Sequence, residues 1–295
     1  MSRFQRWSLT AVFFTAVCFV CAPLQAKDSG SSIEAKLMEL EKKSGGRLGV
    51  YAATAAGNDD FVIAAYRADE LFPFCSTFKM MLAAAVLKRS ETDEGLLAKR
   101  ITYNKDKLIS WSPITEKNVA GGMTVSELCA ATVQYSDNAA ANLLIDELGG
   151  PEAVTAFARS IGDTVFSLNR MEPELNSAEP GDTRDTTSPA AMGNSLKRLA
   201  LEDALSAPNR ELLQNWLKGN TTGAERIRAG VPEGWIVGDK TGSGAYGITN
   251  DIAVIWPSDA PPIVLVVYFI QKDKNASSRS DVLAEATRIV IEAID

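Results

Sequence analysis

Ser76-Thr77-Phe78-Lys79 places a hydroxyl and an amine three residues apart in a chain that contains no histidine. On a helix that spacing turns both side chains to one face. A serine hydroxyl is a weak nucleophile at neutral pH and needs a neighbouring base. Without histidine every Ser-His-Asp and Cys-His scheme is excluded, so only Lys79 or a carboxylate is left to serve Ser76. Roughly one Ser-x-x-Lys arises by chance in a chain of this length. The plain alternative is that Ser76 or Thr77 caps a helix running on through residues 80–91, with Lys79 in solvent.

Three further groups carry usable chemistry. Ser136-Asp137-Asn138 stands just before an apolar stretch, Lys240-Thr241-Gly242 runs on into Ser243-Gly244, and Glu172-Pro173-Glu174-Leu175-Asn176 offers a carboxylate and an amide four residues apart. Each has an ordinary reading when taken alone. Ser-Asp-Asn is a good helix cap, Lys-Thr-Gly can end a strand in a turn, and Glu and Asn in a polar loop are usually solvated. All four groups in one chain, at spacings that fit two lobes facing a cleft, are much harder to assign to chance.

The surrounding pattern supplies the elements that would hold them. Residues 32–43 carry Ile33, Leu37 and Leu40 on one face of a helix. Residues 48–52 and 61–65 read as two strands around the turn 57–60. From residue 77 to about 220 the pattern is helical, with a capping box at Thr124–Glu127, a stop at Gly149-Gly150 and a Ser188-Pro189 start. Inside that region, residues 170–185 have two prolines and no periodicity, and a long structureless loop within a compact region tends to be functional. Strand character returns at 235–239, 248–256 and 263–270, and residues 281–292 read as a final helix. Strands at both ends around a helical middle predict an α+β fold. Its antiparallel five-stranded sheet is covered by the two terminal helices, with an all-helical lobe inserted. The boundaries are about 27–67 and 219–295 for the sheet lobe and 68–218 for the helical lobe, with the active site expected between them.

Composition narrows the class further. At 46% hydrophobic and 23% charged, the 295 residues describe an ordinary globular chain. Arg3 and Arg6 precede an apolar run over residues 9–21, and Leu24-Gln25-Ala26 leads into a polar start. This reads as a signal peptide, residues 1–26, too short for a comfortable membrane span. Its loss removes two positive charges and takes the formal net charge from −7 to −9. An acidic exported chain without a basic run is a poor binder of nucleic acid or of an anionic membrane. Cys75 and Cys129 remain, too few for a disulfide scaffold, and with neither histidine nor Cys-x-x-Cys there is no zinc pattern.

Ser76-Thr-Phe-Lys79, Ser136-Asp-Asn138, Glu172-Pro-Glu-Leu-Asn176 and Lys240-Thr-Gly242, in this order, resemble the active-site set of the class A serine β-lactamases. The likeness runs over essentially all of residues 27–295, including Arg170 and Asp185-Thr-Thr-Ser-Pro189. It implies a secreted hydrolase, periplasmic in a Gram-negative bacterium and monomeric. Its partner is a small β-lactam substrate, penicillins and cephalosporins among them, and it needs no metal or cofactor.

The resemblance also implies a set of roles. Ser76 would be acylated, with Lys79 or Glu172 as the base, and Glu172 with Asn176 would hold the deacylating water. The backbone N–H groups of Ser76 and Ser243 would form the oxyanion hole. Ser136 would relay a proton to the lactam nitrogen beside Lys79 and Lys240, and Asn138 would hold the acyl side-chain amide. Lys240, Thr241 and Ser243 would bind the substrate carboxylate, with Gly242 and Gly244 leaving room along the strand. Trp111 would flank the cleft. Many relatives add an arginine near the Thr249 position, and here Arg226 takes that part, with Arg279 as the alternative. Arg170 and Asp185 would clamp the base of the loop, and Glu172–Pro173 would be cis as in relatives. The disulfide partners that relatives supply for Cys129 and Cys75 are replaced by Ala83 and Ala245, so both thiols are expected to be free. Ser243 and Gly244 resemble residues of relatives that accept bulky cephalosporins. Penicillin-binding D,D-peptidases and β-lactam sensor domains share part of this set, and the Glu172 loop argues against both.

Overall fold

The computed structural model describes residues 29–55 and 61–294. The expected signal peptide and the turn at 57–60 lie outside the described residues. Helix α1 (Ser29–Ser44) leads into strands β1 (Arg47–Thr54) and β2 (Val62–Tyr66). The sheet is completed after a long excursion by β3 (Ile236–Gly244), β4 (Ile248–Trp256) and β5 (Ile263–Ile270), and helix α8 (Ser280–Ile291) follows. All pairings are antiparallel, in the spatial order β2-β1-β5-β4-β3.

The apolar run of β5 explains its central place. A strand covered on both faces must be apolar on both, and β5 reads Ile-Val-Leu-Val-Val-Tyr-Phe-Ile with only its last residue partly exposed. Alternation sends Leu265, Val267 and Phe269 to one face, where they meet Leu37 of α1 and Leu283 and Val290 of α8. Val264, Val266 and Tyr268 go to the other, against Phe72, Met192 and Leu196.

Residues between β2 and β3 build that second layer. Helix α2 (Phe78–Ser90) is buried from Phe78 through Leu87 and is surrounded by α3 (Val125–Gln134), α4 (Asn138–Leu148), α5 (Pro151–Ser160), α6 (Pro189–Ala200) and α7 (Ala207–Lys218). A helix apolar all round belongs at such a centre. The sequence's stop and start signals act where expected. Thr124 and Glu127 form a reciprocal capping box at α3, Gly149 ends α4 at φ 102°, and Ser188 caps α6 ahead of Pro189. Two short pairings escape sequence periodicity because each strand has two residues: Phe72–Pro73 with Thr186–Thr187, and Arg100–Ile101 with Met123–Thr124.

Two expectations change. Neither Ser76 nor Thr77 caps α2 with its side chain; residues 75–77 form a 3-10 turn and Thr77 Oγ1 donates to the Phe74 carbonyl at 2.8 Å. Lys240-Thr241-Gly242 does not end a strand but lies inside β3, opposite Ile252, Asp251 and Asn250. Glycine is a poor strand former, yet the ladder to β4 carries the strand through Gly242 to Gly244.

Cys75 and Cys129 are free, fully buried and pushed up by that burial. Ellman's reagent, without reductant, should therefore find no reactive thiol in native protein lacking residues 1–26 and two after denaturation. Zero after denaturation would contradict the structure.

Candidate active site

The site begins at the 3-10 turn that starts α2. Cys75 adopts φ 46°, and Ser76 lies next on the turn with little exposure. Strand β3 presses against this turn. A Cβ on Gly242 would stand 2.8 Å from the Phe74 carbonyl oxygen, and one on Gly244 would stand 2.7 Å from Cys75 Sγ and 2.9 Å from the Asn176 carbonyl. Both glycines are therefore demanded by the chain's own backbone.

Behind Ser76 lies a group of enclosed charges. Lys79, Lys240 and the Glu172 carboxylate have essentially no exposure. Ser76 Oγ donates to Glu172 Oε1 at 3.2 Å, and Lys79 Nζ meets the same oxygen at 2.9 Å. Lys79 also donates to Asn138 Oδ1 at 2.5 Å and to the Ser136 carbonyl at 2.8 Å. Lys240 Nζ donates to Ser136 Oγ at 3.1 Å and to the Thr241 carbonyl at 2.7 Å. An isolated buried charge is very costly, and here each lysine amine has at least two acceptors. Burial lowers the Lys79 amine from its ordinary value while Glu172 opposes the shift. Lys240 is pushed well below its ordinary value, first by burial and then by Lys79.

Ser136 reaches both lysines because its backbone is left-handed, at φ 57°. Asp137 holds that turn. Its carboxylate caps Ala140 N–H at 2.9 Å and accepts from the Ile114 and Thr115 amides and the Thr115 hydroxyl. Asn138, besides accepting from Lys79, donates to the Ser110 carbonyl at 2.9 Å.

Glu172 arrives on the irregular segment 170–185, and its bond to Pro173 is cis. Arg170 Nε and Asp185 Oδ2 meet at 2.5 Å, and Asp185 Oδ1 accepts from the Asn169 and Arg170 amides at 2.7 and 3.0 Å. Asn176 Nδ2 donates to Glu172 Oε2 at 2.5 Å, whereas its Oδ1 is buried without a partner. Sequence reasoning missed Asn142. Its side chain takes the Glu172 N–H at 3.0 Å and donates to the Glu172 carbonyl at 2.8 Å, so α4 grips the loop at its key residue. A signal was present: a lone amide in an apolar run, four residues after Asn138 and so on the same face of α4.

A cleft of 380 Å³ opens over these groups, within the range of small-molecule sites. Ser76, Ser136, Asn138, Asn176, Thr241, Gly242 and Ser243 face it, with Trp111 at its edge, 64% exposed and donating its indole N–H to the Tyr135 carbonyl. Arg226 lines it too. Its guanidinium donates to the carbonyls of Gly242 and Asn250 at 2.8 and 2.7 Å and to Ser243 Oγ at 2.7 Å. Thr222, not anticipated from sequence, joins Thr241 through their hydroxyls at 2.5 Å. Arg279 does not line the cleft and instead pairs with Asp281 at 2.7 Å.

A serine hydroxyl bonded to a carboxylate, two enclosed lysines and a cationic cleft are the equipment of an acyl-transferring serine enzyme. Residues 32–294 match the model of the beta-lactamase enzyme family. The chain is 55% identical over 288 residues to beta-lactamase OXY-2 of Klebsiella oxytoca, covering 98% of each chain. It is 54% identical to beta-lactamase Toho-1 of Escherichia coli, covering 97% of each. The crystal structure of a beta-lactamase from Desulfarculus baarsii superposes with a TM-score of 0.87 at 53% identity, covering 90% of this chain and 98% of that one. The chain belongs to the beta-lactamase enzyme family, as a class A serine enzyme that hydrolyses β-lactams.

Replacing Asn142 by alanine leaves the Glu172 amide and carbonyl unpaired in a part-buried place. Each such group costs about 1–3 kcal/mol. Urea denaturation of Asn142→Ala should show a loss of at least that size, with β-lactam turnover reduced. Unchanged stability and turnover would remove Asn142 from the account.

Proposed function

We propose that residues 27–295 form one catalytic unit that opens the lactam by acylating Ser76 and frees itself through a water activated by Glu172. The observation that carries this is the Glu172 carboxylate, which accepts the Ser76 hydroxyl proton bond at 3.2 Å with Lys79 held on the same oxygen. Lys79 donates its hydrogens to Asn138, the Ser136 carbonyl and Glu172, so Glu172 is the better placed acceptor of the Ser76 proton.

Ser76 Oγ bonds to the lactam carbonyl carbon as its proton passes to Glu172. The oxyanion is received by the backbone N–H groups of Ser76 and of Ser243 on the edge strand β3. As the C–N bond breaks, nitrogen takes the Ser136 hydroxyl proton, which Lys240 or Lys79 replaces. Glu172 gives up its proton to restore the lysine. For deacylation a water gives one proton to Glu172 and its oxygen to the ester carbon, and Ser76 leaves with that proton. The unpartnered Asn176 Oδ1 supports this step, because an enclosed acceptor beside Glu172 can take the water's other hydrogen.

The substrate carboxylate is assigned to Thr241, Ser243 and Arg226, with Lys240 behind them, and the acyl amide to Asn138. The enzyme is proposed to act as a monomer in the periplasm, reached through the signal peptide 1–26. Relatives from Klebsiella and Escherichia support that setting. Among the described residues no helix is long and apolar enough to cross a membrane. Oxyimino-cephalosporins belong to the proposed range on the strength of Ser243 and Gly244.

Intact-protein mass spectrometry with benzylpenicillin tests the scheme. Parent enzyme should turn the substrate over and show only its own mass, whereas Glu172→Ala should accumulate the mass of enzyme plus one whole penicillin. A parent that stays acylated would point instead to a penicillin-binding D,D-peptidase or a sensor domain.

A further inference from the structure

Asn250 and Asp251 are neighbours on β4 and therefore face opposite sides of the sheet. Asn250 Nδ2 reaches the Pro73 and Phe74 carbonyls just ahead of the nucleophile, at 2.8 and 3.3 Å. Asp251, opposite Thr241 in the ladder, is fully buried on the other side. Its Oδ2 accepts the Ile227 N–H at 3.1 Å, and its Oδ1 has no partner. A carboxyl group placed so is costly, and an aliphatic residue such as its neighbour Ile252 would serve a strand interior better.

The charges around it narrow its purpose. Arg226, Asp239 and Lys240 are the titratable groups that act on it, and Arg228 acts in turn on Asp239. Asp239 is already served by Arg228 Nε and Asn220 Nδ2, each at 2.6 Å, so Asp251 is not needed to balance Arg228. Burial, reinforced by Asp239, holds the Asp251 carboxyl well above the usual carboxylate range, with Arg226 and Lys240 opposing. What Asp251 does grip is the first amide of the 3-10 turn Ile227–Gly230, immediately after Arg226. That contact sets where the Arg226 side chain leaves the backbone on its way to Gly242 and Ser243.

We propose that Asp251 is a positioning residue for substrate recognition, which by holding the Ile227 amide from behind the sheet keeps the Arg226 guanidinium in register with the substrate carboxylate. The proposal rests on Arg226 as a carboxylate-binding arm.

Steady-state kinetics on benzylpenicillin and on its methyl ester, beside thermal denaturation, test both layers. Arg226→Ala should raise KM for the acid about tenfold and barely change the ester, a loss of uniform binding. Asp251→Val should do the same to KM with kcat within about twofold, and should add nothing in an Arg226→Ala background. Asp251→Asn, which keeps an acceptor for Ile227 and resembles an uncharged acid, should restore KM to within about threefold of the parent. Asp251→Ser carries the same test if the valine variant does not fold. Arg226→Ala without effect on the acid would overturn the Arg226 reading and this proposal with it. An effective Arg226→Ala beside an Asp251 variant that leaves KM unchanged, or that harms acid and ester alike, would overturn the Asp251 role alone.

Discussion

The contact on which the site depends is Glu172 Oε1 shared between Ser76 Oγ and Lys79 Nζ, with the lysine and the carboxylate fully buried at the floor of the cleft. Removing one member of a buried ion pair typically costs about 3–5 kcal/mol, because its partner is left charged and alone. Such a pair repays its desolvation only where its geometry is good and the remaining lone pairs and protons are hydrogen-bonded. Much of the fold near the cleft can be understood as meeting that demand. Ser136 in a left-handed conformation serves both lysines, Asp137 ties that turn to residues 114–115, and Asn142 and Asn176 hold Glu172 at its backbone and its carboxylate.

The parts come from separate elements, each anchored in its own way. The nucleophile sits on the 3-10 turn that leads into a helix buried from Phe78 through Leu87, so its position is set by core packing. The carboxylate comes on an irregular segment with little apolar content, and it is held by polar contacts instead: Arg170 with Asp185 at its base and α4 at its middle. Strand β3 supplies Lys240 and Ser243 from the edge of the sheet. It approaches the nucleophile turn so closely that two of its positions admit only glycine. An edge strand leaves alternate backbone groups unpaired, which suits a surface that must receive a ligand's polar atoms.

Much of this was legible in the residue order. The strand runs, the terminal helices, the capping box at Thr124 and the unpaired thiols depend on local propensity or on which residue type is present, and they appear as expected. The α+β class with its five-stranded antiparallel sheet follows from strands at both ends of a helical middle. The strand through Lys240-Thr241-Gly242 was misjudged because glycine argues locally for a turn, whereas the ladder to β4 is a long-range matter. Asn142, Thr222 and the Asn250-Asp251 pair went unnoticed because their partners lie 19 to 177 residues away.

By itself the sequence determined the chemistry available: a serine and lysines with no histidine, a carboxylate on a proline-bearing loop, and a chain long enough to enclose them. These are matters of residue type and short spacing. Only the tertiary structure decided which carboxylate meets Ser76, that Lys79 and Lys240 share Ser136, and that Arg226 lines the cleft while Arg279 does not. Those outcomes depend on burial and on distances between residues far apart in the chain. Burial decides how costly each charge is, and distance decides which partner relieves it.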